Sequence, residues 1–197
     1  MQIPVLPSAA LVVLSALLAV RSGTQDPHVA PETLNAAQRL SRTVPEHERL
    51  ARLEGAWDVT IRATPPGDEE RTERGTVVGK AILGGRYVVL NFQLTFRGEP
   101  LEAVQILGYD TLLRQYTSSW RDDHSTWSVE CAGPADTDAP ERVQLRGTLR
   151  DAQNPDGRPF RLALTLPEAD GGMVAVSLHD TLEGTEHLLQ TQQWTRR

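Results

Sequence analysis

The side chains best suited to chemistry gather in one stretch, Trp120-Arg121-Asp122-Asp123-His124-Ser125-Thr126-Trp127. Two carboxylates, an imidazole and two indoles fall within eight positions. An Asp beside a His is the pairing used in general acid–base work, the carboxylate orienting the ring and the ring moving the proton. Asp122 and His124 are therefore the candidate catalytic residues. The same residues also suit a polar hairpin tip, where Asp carboxylates accept from turn amides. Trp120 and Trp127 share the direction of their apolar neighbours, so they line a ligand pocket or pack in a core.

Other candidates are sparser. His179 and His187 fall on the last two strand-like runs, His179 in step with Met173 and Ala175, and His187 with Leu189. A lone histidine on such a strand is more often structural than a ligand, and no cofactor is expected from these residues alone. No two of the five histidines have metal-ligand spacing and there is no cysteine pair, so no metal site is expected. Cys131 is the single cysteine; alternation sets it beside Trp127 and Val129, which reads as a buried, inert thiol. Tyr87 and Asn91 belong to a mixed face, Tyr87-Val89-Asn91-Gln93-Thr95, that offers fixed polar groups to a ligand if it looks inward and is plain surface if it looks outward. A serine-nucleophile elbow and a phosphate-cradling glycine loop are both missing from the sequence.

These residues must be positioned by strands. Residues 31–40 carry one helical stretch, and Thr43-Val44-Pro45-Glu46 has the form of a capping box ahead of a short helix with Leu50 and Leu53 on one side and Gly55 at its end. From Trp57 onward the apolar period is two. Strands are expected from Trp57, over 76–83, 87–96, 101–107, 115–121, 126–132, 142–149, 160–166, 173–182 and 187–196. Residues 67–74 read as a hairpin loop; further turn signals are Arg97-Gly98-Glu99-Pro100, Gly108-Tyr109-Asp110, Asn154-Pro155-Asp156-Gly157 and Asp170-Gly171-Gly172. Gly84-Gly85 suits a tight connection needing positive φ. Many short alternating strands with no second helical region indicate an all-β fold, an antiparallel up-and-down barrel of about 8–10 strands with a short N-terminal helix. Such a barrel is either filled by side chains or holds one small ligand.

Composition narrows the rest. The chain has 197 residues, 39% hydrophobic and 23% charged, which suits a single globular domain. A formal charge of −6 gives no electrostatic reason to bind nucleic acid. Residues 9–20 are an uncharged apolar run, too short to span a membrane but the length of a signal-peptide core. Val20-Arg21-Ser22 supplies small residues for cleavage after Ser22, although no Lys or Arg precedes the run. The expected organisation is a signal peptide over 1–22, a flexible segment over 23–44 and a barrel domain over 45–197, with export to the periplasm or the medium and no stable membrane span after processing.

Two resemblances follow from the motifs. Leu53-Glu54-Gly55-Ala56-Trp57-Asp58-Val59, a short helix running into Gly-x-Trp, resembles the opening of lipocalin-type barrels, where the tryptophan plugs the closed end beneath an arginine of the last strand. That resemblance assigns structural roles to Gly55 and Trp57 and the covering role to Arg196 or Arg197. The chain is also similar to a mostly bacterial domain-of-unknown-function family, the one numbered fifteen seventy-nine. The matching motifs are Gly55-Ala56-Trp57, Ile82-Leu83-Gly84-Gly85-Arg86-Tyr87, Ile106-Leu107-Gly108-Tyr109-Asp110 and Tyr116-Thr117-Ser118-Ser119-Trp120-Arg121-Asp122. The last strand departs from the pattern, with Trp194-Thr195-Arg196 where a tyrosine would precede the arginine. The resemblance implies a lipocalin-like barrel and no particular activity; because some lipocalin-like barrels hold haem through one histidine on a late strand, it also makes His179 the candidate haem ligand.

Three functions remain open at this point. The barrel takes a small, largely apolar molecule as a non-enzymatic binding module; or it is an enzyme built on Asp122 and His124, or a haem protein built on His179; or it is filled and serves a structural or interaction role. The sequence does not decide the oligomeric state.

Overall fold

Alternation dominates the architecture of the computed structural model, which describes residues 35–63, 69–152, 154–168, 171–182 and 184–197. Two short helices come first, α1 (Ala36–Leu40) and α2 (Pro45–Ala51). Ten strands follow: β1 (Gly55–Ala63), β2 (Arg71–Ile82), β3 (Tyr87–Phe96), β4 (Glu99–Asp110), β5 (Gln115–Asp122), β6 (Val129–Pro134), β7 (Arg142–Leu149), β8 (Arg158–Thr165), β9 (Val174–Leu182) and β10 (Thr185–Arg196). Each pairs antiparallel with its sequence neighbours, and β1 pairs with β10 to close the barrel. Closure leaves no unpaired edge to template association with another chain. The expected signal peptide and most of the segment 23–44 lie outside the described residues.

On β3 the buried residues are Val88, Leu90 and Phe92, while Tyr87 and Asn91 are exposed. The mixed face of β3 therefore looks outward, since the strictly apolar face gains more by leaving water. The strand β2 begins at Arg71 rather than Thr76. Its charged first turn is strand because Arg71, Thr72, Glu73 and Arg74 pair with the end of β1, which a closed barrel requires. Gly108, Tyr109 and Asp110 are likewise strand, and the turn lies one step on, at residues 111–114, where Asp110 Oδ1 accepts from the amides of Leu112 and Leu113 at 2.8 and 2.9 Å. β6 starts at Val129, so Trp127 stands in the preceding loop.

One end of the barrel is sealed. α2 packs on β3 and β4, and burying its Leu50 together with nearby Leu53 is worth about 1.5–3 kcal/mol per side chain. The helix is capped one residue later than the sequence suggests, because Pro45 occupies its first turn and fixes the preceding residue as the cap. His47 N donates to the Val44 carbonyl, and Val44 N donates to His47 Nδ1 at 3.1 Å, so His47 takes the part expected of Glu46. Beneath the helix Trp57 is wholly buried and its Nε1 donates to the Leu53 carbonyl at 3.0 Å. The Arg196 guanidinium lies over the Trp57 ring, 4.4 Å from its centroid, and donates to the carbonyls of Glu54 and Arg52 at 3.1 and 3.0 Å. Gly55 makes room for it: its φ is +108°, and a Cβ there would sit 2.9 Å from Arg196 Nη1.

Candidate functional site

The opposite end is open, bounded by the last residues of β1, β3, β5, β7 and β9. Between it and the sealed end lies a cavity of about 370 Å³, within the range of ligand sites. Its floor is aromatic, with Phe92 meeting Trp194 edge-on at 5.5 Å, and Phe92 tilts against Trp120, nearer the open end, at 5.1 Å. Ile61, Leu101, Leu162, Leu164, Val176 and Leu178 make up much of the wall, each on an inward position of its strand.

Trp120, Trp127, Asp122 and His124 all border this cavity, at its open end. Their arrangement is that of a turn. Asp122 Oδ2 accepts from Trp120 Nε1 at 2.8 Å, and its Oδ1 accepts from the His124 backbone N–H at 3.1 Å. His124 Nε2 meets the Pro100 carbonyl at 2.9 Å and Asp123 Oδ1 at 3.9 Å. Asp122 thus has both oxygens engaged elsewhere and does not orient the His124 ring, so the acid–base pair read from the sequence is not assembled. The carboxylate instead fixes the Trp120 indole against the wall.

The cavity also holds polar groups. Gln105 Nε2 donates to Ser118 Oγ at 2.8 Å, and Trp194 Nε1 donates to Gln192 Oε1 at 2.9 Å; Gln190 stands next to them on the way out. Cys131 lines the wall as well, and burial pushes its thiol up to about 11. Such a thiol is almost wholly protonated near neutral pH and does not act as a nucleophile.

A family model described as "Protein of unknown function (DUF1579)" matches residues 42–196. The chain belongs to that family. The crystal structure of Rv2717c from M. tuberculosis resembles this DUF1579 barrel with a TM-score of 0.57 at 14% identity, over 79% of this chain and 99% of that one, a likeness of fold alone. No curated protein matches the chain.

The remaining sequence candidates of the DUF1579 barrel lie away from its cavity. Tyr87 and Asn91 are on the outer face of β3. Tyr87 borders a separate polar hollow beside α2, with His47, Arg86 and Tyr109. His179 pairs with Arg161 across β8–β9 on the outer face, and its Nε2 meets Ser177 Oγ at 3.2 Å. It is therefore not placed to ligate haem inside the barrel. Burial first, then the Arg161 charge, lowers its pKa from the ordinary 6.5. A register shift between Leu188 and Gln190 breaks the expected alternation on β10, so His187 faces Asp180 rather than sharing the side of Leu189. Asp180 is itself buried and bound by Arg158, which also holds Asp151 at 2.5 Å, a cluster that ties β8 to β9. Among the described residues no group of three or more His, Cys, Asp or Glu could hold a metal ion. No described helix is long and apolar enough to cross a membrane.

Gln105, Ser118, Gln190 and Gln192 are the cavity residues that sequence reasoning passed over. For Gln105 the signal was available, as the one polar member of the inward series Leu101, Ala103, Gln105, Leu107. On β10 the neighbouring positions are polar on both faces, so periodicity carried no signal there.

Proposed function

We propose that this protein is a non-enzymatic binding module that holds a small, largely apolar molecule inside its barrel. The observation that carries this reading is the cavity of about 370 Å³, aromatic-floored, apolar-walled and reached through one open end. A barrel with a purely structural role gains more by filling its interior, since empty apolar space forfeits packing energy. The engagement of Asp122 with Trp120 and the turn, and the raised pKa of Cys131, take away two of the chemically active groups that line the cavity. Export is part of the proposal, resting on the apolar run of residues 9–20, with cleavage after Ser22.

Titration with N-phenyl-1-naphthylamine, an uncharged apolar dye, tests the reading. Saturable fluorescence enhancement is expected at one dye per chain. It should be lost in Leu162→Trp, which puts an indole into the cavity from its wall. No saturable binding, or binding that survives the filled cavity, overturns the proposal. The mass of protein recovered from outside the cytoplasm would begin after Ser22 if the export reading holds, and at Met1 if it does not.

A further inference from the structure

We infer that the bound molecule is uncharged and carries a hydrogen-bond acceptor, which the amide nitrogen of Gln192 receives. The inference rests on the binding reading above and names its ligand class. Three features of the cavity support it.

The orientation of the Gln192 amide is fixed by its neighbour. An indole N–H can only donate, so the Gln192 atom that Trp194 meets at 2.9 Å is the oxygen. The nitrogen, with two N–H groups, is then the amide atom the indole leaves unengaged, on a residue that lines the cavity. Gln192 is only 8% exposed, and a donor this deep is costly to leave unmatched. A carbonyl, ester or ether oxygen on the ligand satisfies it.

Charge is the second feature. Among the described residues that line the cavity the ionisable ones are Glu73, Asp122, Cys131 and His124, and no Lys or Arg is present. An anionic headgroup drawn into this space loses its hydration, meets no cation in the lining and passes two carboxylates on the way. Arg97 lies on the β3–β4 turn, its guanidinium 5.5 Å from the Phe96 ring, outside the lining.

The third feature is the opposite wall. In the ring order β5 stands five strands from β10 in either direction. It carries Ser118, bonded to Gln105 of β4. The buried polar residues of the lining, Gln105, Ser118 and Gln192, thus offer only neutral amide and hydroxyl groups. A cationic headgroup gains carboxylates only at the rim and must leave them to seat its apolar body against the aromatic floor.

Competition against the naphthylamine dye at pH 7.5 tests the assignment with three probes of equal chain length: 2-decanone, decanoate and decylamine. The ketone is expected to displace the dye at a concentration at least tenfold lower than either charged probe. Decanoate or decylamine matching or beating the ketone overturns the inference while leaving the binding reading intact. Failure of the dye itself to bind strikes the binding reading, and the inference falls with it. Gln192→Glu keeps an acceptor for Trp194 Nε1 and removes the amide donor. With the dye titrated separately on the variant, its ketone affinity relative to the dye should fall at least fivefold, and a ratio equal to that of the native chain in a normally folded variant overturns the role of Gln192. Should that variant not fold, the three-probe comparison on the native chain still decides the ligand class.

Discussion

Two adjacent arginines end the barrel, and only one should matter to its stability. Arg196 covers the Trp57 ring at 4.4 Å and bonds two carbonyls, those of Glu54 and Arg52, in the link between α2 and β1. Arg197 pairs with Asp58 at 2.7 Å, both side chains more than half exposed. Replacing Arg196 by Ala removes a cation–π contact worth about 0.5–1 kcal/mol at an exposed site. It also removes two hydrogen bonds from a charged donor, each nominally worth about 1.5–3 kcal/mol but reduced here because water reaches the guanidinium. A net loss of about 2 kcal/mol is expected, which for a domain of this size lowers Tm by about 4–8 °C. Arg197→Ala removes an exposed ion pair and should cost less than about 0.5 kcal/mol. Arg196→Lys should fall between, since an ammonium sits over the ring but cannot reach both carbonyls with one planar fork. Thermal melts of the three variants followed by near-ultraviolet circular dichroism read both stability and the Trp57 environment. Equal shifts for Arg196→Ala and Arg197→Ala would refute the reasoning, because charge alone, not the geometry over Trp57, would then set the effect.

Gly79→Ala should cost about 2–3 kcal/mol in urea unfolding, because the added Cβ would lie 2.0 Å from the Leu53 carbonyl oxygen that also receives Trp57 Nε1; a midpoint unchanged from the native chain would count against that packing. Stability should fall as pH drops below about 6.5, because burial foremost, and then the Arg86 charge, hold the folded His47 ring below its ordinary value of 6.5. The unfolded ring takes its proton first, so the loss begins near pH 6.5 and levels off once the folded ring protonates. His47→Gln, which keeps an acceptor for Val44 N–H, should show a smaller loss of Tm between pH 7 and 5, and an identical slope would exclude His47 as its source. Cys131, with its thiol pushed up to about 11, should resist dithionitrobenzoate at pH 8 in the native protein and react once per chain in urea; prompt reaction of the native protein would contradict its burial.

The barrel was readable because nearly every strand alternates, and alternation is a direct print of a two-faced sheet. It was least readable where one rule met another. Pro45 moved the helix cap from Thr43 to Val44, and β2 absorbed three charged residues, Arg71, Glu73 and Arg74, because β1 needed partners. The register shift on β10 reversed the facing of His187 in a way no local pattern announces. For the candidate site, the sequence joined Asp122 to His124, whereas the structure bonds Asp122 to the Trp120 indole and to the turn. Asp122 and His124 do border the cavity, but which atom a carboxylate oxygen meets is decided by rotamers and the Trp120 indole, which spacing does not encode. Gln192 escaped notice because its meaning depends on Trp194 two residues on and on a wall five strands away.

Because every pairing but one joins consecutive strands, the barrel has a seam, the β1–β10 pairing, where Asp58 and Arg197 meet across 139 positions. Bringing such distant segments together costs about 3 kcal/mol more loop-closure entropy than a hairpin of a few residues. The seam should therefore knit last, after the hairpins are in place, and contribute little to the folding transition state. Interactions there act on the lifetime of the native state and hardly on the rate at which it forms. Arg196, stitched across that seam to the carbonyls just ahead of β1, is in kinetic terms a clasp: without it the protein would assemble at nearly the same speed and come undone sooner.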